Sequence, residues 1–147
     1  MADVPEHEHQ VDTGKSVLSL QELGHIQPGM AEIMPLIAQR IWKCFYAGKA
    51  GNKELAKFQL KEAVNLMEKG VLLRPKYTDN MYKFIEEECG VLSKCIDAED
   101  WDGFESAFTA MVDSANAYHE VYDKGFLVWK VPADPPPDMV MEPRNRK

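Results

Sequence analysis

The sequence predicts an all-α protein, an antiparallel four-helix bundle followed by an extended, proline-rich C-terminal tail. Three observations predict it. Apolar residues recur at steps of three and four through four stretches between residues 28 and 125. Short segments carrying Gly, Pro or Asn separate those stretches. No alternating strand pattern occurs outside the tail. Helices with one apolar stripe and short links bury that stripe most simply against one another. The domain reading is a flexible segment over residues 1–15, a bundle over 16–125 and a tail over 126–147.

Each element has its own signals. Residues 1–15 carry few apolar side chains and no period. Ser16 opens SVLSLQELGHI, a short amphipathic stretch in which His25 reads as a helix-end residue. Pro28 suits the first turn of helix A, which runs to about residue 46 on Met30, Ile33, Met34, Ile37, Ile41, Cys44 and Phe45. Pro35 inside it removes one backbone donor. AGKAGN then reads as a loop. Asn52 caps helix B. Pro75 breaks the next link, and Thr78 reads as the cap of helix C, which buries Met81, Phe84, Ile85, Leu92, Cys95 and Ile96 around a weak point at Gly90. Asp100 caps helix D. Its residues Trp101, Phe104, Phe108, Met111, Ala115, Tyr118 and Tyr122 step alternately by three and four, a seam for shallow-angle packing. Gly125 reads as its stop.

Composition removes several function classes. The chain has 147 residues and a net charge of -7, so it repels nucleic acid and anionic membranes. No apolar run approaches the ~18 residues of a span. The opening MADVPEHEHQ has neither a basic nor an apolar region of a signal peptide, which reads as cytoplasmic; a periplasmic location is the alternative if Met1 replaces a removed leader. Cys44, Cys89 and Cys95 form neither a disulfide framework nor a zinc pattern and read as buried thiols. His7 and His9 alternate with Glu as in any weakly chelating unstructured segment, so no metal site is expected. There is no phosphate loop, no G-x-S-x-G, no H-E-x-x-H and no di-iron E-x-x-H pair, so no catalytic residue is named and no enzyme is expected. Glu86, Glu87 and Glu88 read as a solvated face.

The stretch SANAYHEVYD, residues 114–123, holds the candidate site. Ala115 is the one small residue in the helix D seam, between Met111 and Tyr118. Either a bulky neighbour fills the gap, or Ala115 floors a pocket for a planar ligand. His119 lies one step off the seam with Asp123 one turn later. A carboxylate there would hold the imidazole in one tautomer; a plain exposed His–acid pair explains the spacing as well. Met30 and Met34 are core residues that could also present sulfur to a ligand facing helix D.

Three phrases carry a resemblance: FYAGKAGN at 45–52, ANAYH at 115–119 and GFLVWKVPADPPP at 125–137. With the bundle pattern they resemble cytochrome c′-type proteins, and more closely a group of small bacterial proteins often labelled c-type cytochromes. The last helix of that group carries C-x-x-C-H ahead of a proline-rich tail. The resemblance covers most of residues 28–137. It implies a haem site whose axial ligand is His119. Ala115 and Tyr118 stand where the two haem-linking cysteines would be, and neither side chain forms a thioether. Covalent haem is therefore not expected. Two functions follow. The first is a small-ligand module holding non-covalent haem or another planar apolar molecule with His119, Tyr118, Ala115, Met111, Met34, Met30 and Asp123; its mark is an open cavity beside Ala115. The second is a structural or protein-interaction bundle with a collapsed pocket; its marks are a filled core and an exposed apolar patch. The resemblance also implies a homodimer, paired through a helix seam.

Overall fold

The computed structural model describes residues 9–145 and is mostly helical, an all-α fold. Strands β1 (Gln10–Asp12) and β2 (Val17–Ser19) form a small antiparallel hairpin, and helix α1 (Leu20–His25) follows. Helices α2 (Met30–Lys49), α3 (Lys53–Leu73), α4 (Thr78–Phe84), α5 (Gly90–Ala98) and α6 (Trp101–Val121) complete the order. A 3-10 turn, Pro75–Tyr77, precedes α4, and a π-turn, Ile85–Cys89, joins α4 to α5. No helix among the described residues is long and apolar enough to cross a membrane.

The hairpin is an element that the sequence reading lacked, since Val11, Leu18 and their neighbours are too few to show an alternating period. Its turn is closed by Thr13 N–H donating to Ser16 O at 2.9 Å, with Gly14 at φ 75°. Ser19 then caps α1 in a reciprocal capping box with Glu22. The hydrogen bonds from Ser19 hold the Glu22 carboxyl below its usual pKa.

Helix α2 begins at Met30 behind Gly29, not at Pro28, and it runs three residues further than expected, through Ala47, Gly48 and Lys49. The reason is Gly48. It is buried, and a Cβ there would overlap the Phe104 ring of α6. This glycine serves a close helix approach, and the true turn shrinks to residues 50–52, with Gly51 at φ 69°. Helix α3 starts as expected, with Asn52 Oδ1 accepting from Leu55 N at 3.2 Å.

Thr78 does not cap α4. It is the first helical residue, and its hydroxyl donates back to Pro75 O at 2.6 Å. The π-turn accounts for the register of helix C. Phe84 and Cys89 are both buried although five residues apart, which an uninterrupted α-helix would place on different faces. The bond from Gly90 N–H to Ile85 O spans the extra residue. From Cys89 onward, Leu92 and Ile96 resume the ordinary spacing.

Helix α6 is capped by Asp100 Oδ1 accepting from Gly103 N at 3.0 Å. Phe104, Phe108 and Met111 lie at the centre of the core with Ile33, Ile37, Leu60, Ala63 and Leu92. Cys44 and Cys89 are buried there too, and burial pushes both thiols up to about 12. They are inert at neutral pH.

Candidate functional site

The C-terminal end of α6 and the tail that leaves it form the candidate site. Helix α6 ends at Val121, ahead of Gly125. Asp123, at φ 57°, is the left-handed residue that ends it. Lys124 N–H donates to His119 O at 2.7 Å and Asp123 N–H to Glu120 O at 3.1 Å, the pair of bonds of a Schellman motif. Asp123 thus terminates the helix and does not orient His119. A non-Gly residue in this conformation is strained. Asp123→Gly is expected to raise stability by about 0.5–1 kcal/mol. Urea unfolding of the two proteins checks this, and a loss of stability would show that the carboxylate has a partner of its own.

The orienting group of His119 comes from the tail. Its Nδ1 lies 2.7 Å from Leu127 O. A carbonyl only accepts, so Nδ1 carries the proton and, in the neutral ring, Nε2 keeps its lone pair. The Trp129 ring stands 6.4 Å from the imidazole, centroid to centroid. Its indole N–H is buried and has no hydrogen-bond partner in the described residues.

Of the other predicted site residues, Met111, Ala115, Tyr118 and Met34 meet in or against the hydrophobic core, and Met30 lies apart from that cluster. Met111 is 2% exposed in the core. Ala115 and Tyr118 are half-buried and pack against the same cluster. Tyr118 meets Phe84 edge-on at 6.2 Å. Met30 lies against α3, its Sδ 3.0 Å from where a Cβ on Gly70 would stand. Met34 packs on the core from α2. His7 lies outside the described residues, and among those described no group of three or more His, Cys, Asp or Glu side chains is placed to hold a metal. Two shallow clefts, of about 570 and 550 Å³, are lined by residues such as Leu55 and Met139, or Arg40 and Leu72. Neither is lined by any residue from 111 to 123.

The sequence reading missed the residues that hold the tail. Asn116 clamps Trp129 twice: its Oδ1 accepts from Trp129 N at 2.8 Å, and its Nδ2 donates to Trp129 O at 2.9 Å. From there the tail crosses α2 as a strap and ends beside the start of α3. Tyr46 donates its hydroxyl to Pro132 O at 2.7 Å, and Trp42 its indole N–H to Asp134 O at 2.9 Å. Lys43 pairs with Asp138 at 2.8 Å and holds that carboxyl below its usual pKa. The depressed pKa means that this tie is present at neutral pH and is lost as pH falls through the carboxylate range. Asn52 Nδ2 reaches Met141 O at 3.0 Å, and the Met141 side chain is buried. The buried amide of Gln59 is satisfied by Arg40 at 3.2 Å and faces Met139 Sδ at 3.9 Å. Proline has no N–H, so a proline-rich strap offers carbonyls, and the helices supply the donors. The signal was present in the sequence: Trp42, Tyr46 and Asn116 are polar-tipped residues at the edges of apolar stripes.

No family model, no curated protein and no solved structure matches the chain.

Proposed function

We propose that the chain is a non-enzymatic, antiparallel four-helix bundle of the cytochrome c′ type whose haem position has closed, and that it acts by contact with other protein. The carrying observation is the packing beside Ala115, where Tyr118 sits edge-on to Phe84 and Met111 is buried. Short links between α2 and α3, α3 and α4, and α5 and α6 support the up-and-down arrangement. The residues do not fit a covalent haem, because Ala115 and Tyr118 form no thioether. The two clefts described above lie away from residues 111–123. Apolar side chains stand exposed at Val121, Phe126, Leu127 and Val128, the second mark of an interaction protein.

One observation favours a second reading, a small-ligand module for non-covalent haem or another planar apolar molecule. His119 is held by a backbone carbonyl in the tautomer that leaves Nε2 as a ligand, and the indole N–H of Trp129, unpartnered among the described residues, belongs to the neighbouring ring. A hemin titration followed by visible absorption, with His119→Ala as control, separates the readings. The expected result is no saturable Soret band that depends on His119. A band that saturates at one equivalent and disappears in His119→Ala would replace the first reading with the second.

A further inference from the structure

We propose that the face of α2 beneath the strap is a recognition site for a proline-rich, acidic segment of another protein, and that residues 131–141 are its built-in occupant, an autoinhibitory contact that such a partner displaces. This deepens the interaction reading, on which it rests.

The occupant shows what the site reads. Three residues within little more than one turn of α2 address alternate residues of the strap. Tyr46 donates to Pro132 O at 2.7 Å, Trp42 donates to Asp134 O at 2.9 Å, and Lys43 pairs with Asp138 at 2.8 Å. Pro136, which completes the alternation, is buried, while Ala133, Pro135 and Pro137 stand exposed. Further on, Asn52 Nδ2 reaches Met141 O, and the Met141 side chain is 4% exposed. An indole N–H and a phenol directed at the carbonyls of a proline-rich segment are the means by which aromatic-lined grooves hold polyproline ligands. The buried place of Pro136 and the Lys43 ammonium add selection for a proline and for an acid two residues later. The bonds to Pro132 O, Asp134 O and Met141 O use only main-chain acceptors. A segment of another chain with the same proline and acid spacing therefore makes them equally well.

The strap can leave without unravelling the helices. Of residues 131–141, only Val131 packs against the main core cluster. Residues 142–145 are exposed. Lifting from Met141 back to Pro132 leaves the Asn116 clamp on Trp129 in place, and with it the bond between His119 Nδ1 and Leu127 O. It uncovers Trp42, Lys43, Tyr46 and Asn52 as one set of donors. Held on the same chain, the strap competes at an effective concentration of about millimolar, so the site is closed to weak ligands and opens to a tighter one.

The test uses the full chain and a fluorescein-labelled peptide with the sequence of residues 131–142, followed by anisotropy. Asp138→Lys combined with Met141→Ser weakens the strap and leaves the α2 donors intact. This double variant is expected to bind the peptide at one equivalent, at least about tenfold more tightly than wild type does. Adding Tyr46→Phe, which removes one donor and keeps the ring, is expected to weaken that binding several-fold. No binding by the double variant up to millimolar peptide overturns the proposal, as does binding that ignores Tyr46→Phe or that a scrambled peptide reproduces. A second readout needs no variant. Nitrogen-15-labelled wild type is titrated with unlabelled peptide to several times the effective concentration of the strap, about 10 mM. The Trp42 indole signal and those of residues 131–141 are expected to shift, with Trp129 and His119 unmoved. A Trp42 signal that stays in place, or shifts that reach Trp129 and His119 equally, overturns the proposal. The hemin titration decides the interaction reading separately, so failure of the peptide to bind is distinguishable from failure of that reading.

Discussion

Gly48→Ala is expected to destabilise the protein by about 1–3 kcal/mol, the cost of forcing an extra carbon into a packed core. The sign is the informative part. In an exposed helix interior the same change stabilises by about 1 kcal/mol, because Gly is the poorer helix former. Here the added Cβ would overlap the Phe104 ring. The ring has little room to retreat. It is fully buried, with Trp101 and Phe108 each 5.9 Å away, centroid to centroid. A companion variant shows where the cost arises. Phe104→Leu removes ring atoms facing Gly48 and is destabilising alone through the cavity it leaves. Combined, the two changes are expected to cost less than their sum by about 1 kcal/mol or more, a coupling measurable by a double-mutant cycle in urea. Strict additivity would mean that α2 and α6 separate slightly to admit the methyl group, and that the close approach at Gly48 is not what extends α2.

This contact also marks where the sequence was readable. The α6 seam, its Asp100 cap and the Asn52 cap of α3 are local signals, set by residues within a turn of one another. They were legible because helix periodicity and capping act over three or four residues. Gly48 looked like a loop residue because the aromatic ring that requires it is more than fifty positions away in the chain. The same holds for the π-turn, whose five-residue step from Phe84 to Cys89 reads as an irregularity until both residues are seen in one core. At the candidate site, His119 was identified as a residue under local constraint, but Asp123 was the wrong partner. Periodicity gives i+4 neighbours only while the helix continues, and the helix ends before Asp123. Leu127, which takes that place, lies in a segment with no period to read.

Asn116→Ala is expected to release the start of the strap and to cost about 1–3 kcal/mol, from two hydrogen bonds worth about 0.5–1.5 kcal/mol each. The effect comes from one amide serving both backbone groups of Trp129, at 2.8 and 2.9 Å, as a neighbouring β-strand would. With the amide gone, Trp129 O and N–H must find water, and Trp129 is partly buried, so they find it by lifting away. The loss should then spread to His119, whose Nδ1 bond to Leu127 O depends on the same stretch of tail. Asn116→Asp separates the two halves of the clamp. A carboxylate still accepts from Trp129 N–H but faces Trp129 O with no proton to give, and two acceptors in contact repel. Above the carboxylate pKa, Asn116→Asp is therefore expected to be at least as damaging as the alanine. At acid pH the protonated side chain regains a donor, and the deficit relative to wild type should shrink. Amide exchange at Trp129 and at residues 42–46 reads the outcome directly. Faster exchange at Trp129, with the buried face of α2 unchanged, places the loss in the strap; faster exchange throughout α2 and α6 would mean that the strap is part of the core, and that the helices do not hold together without it.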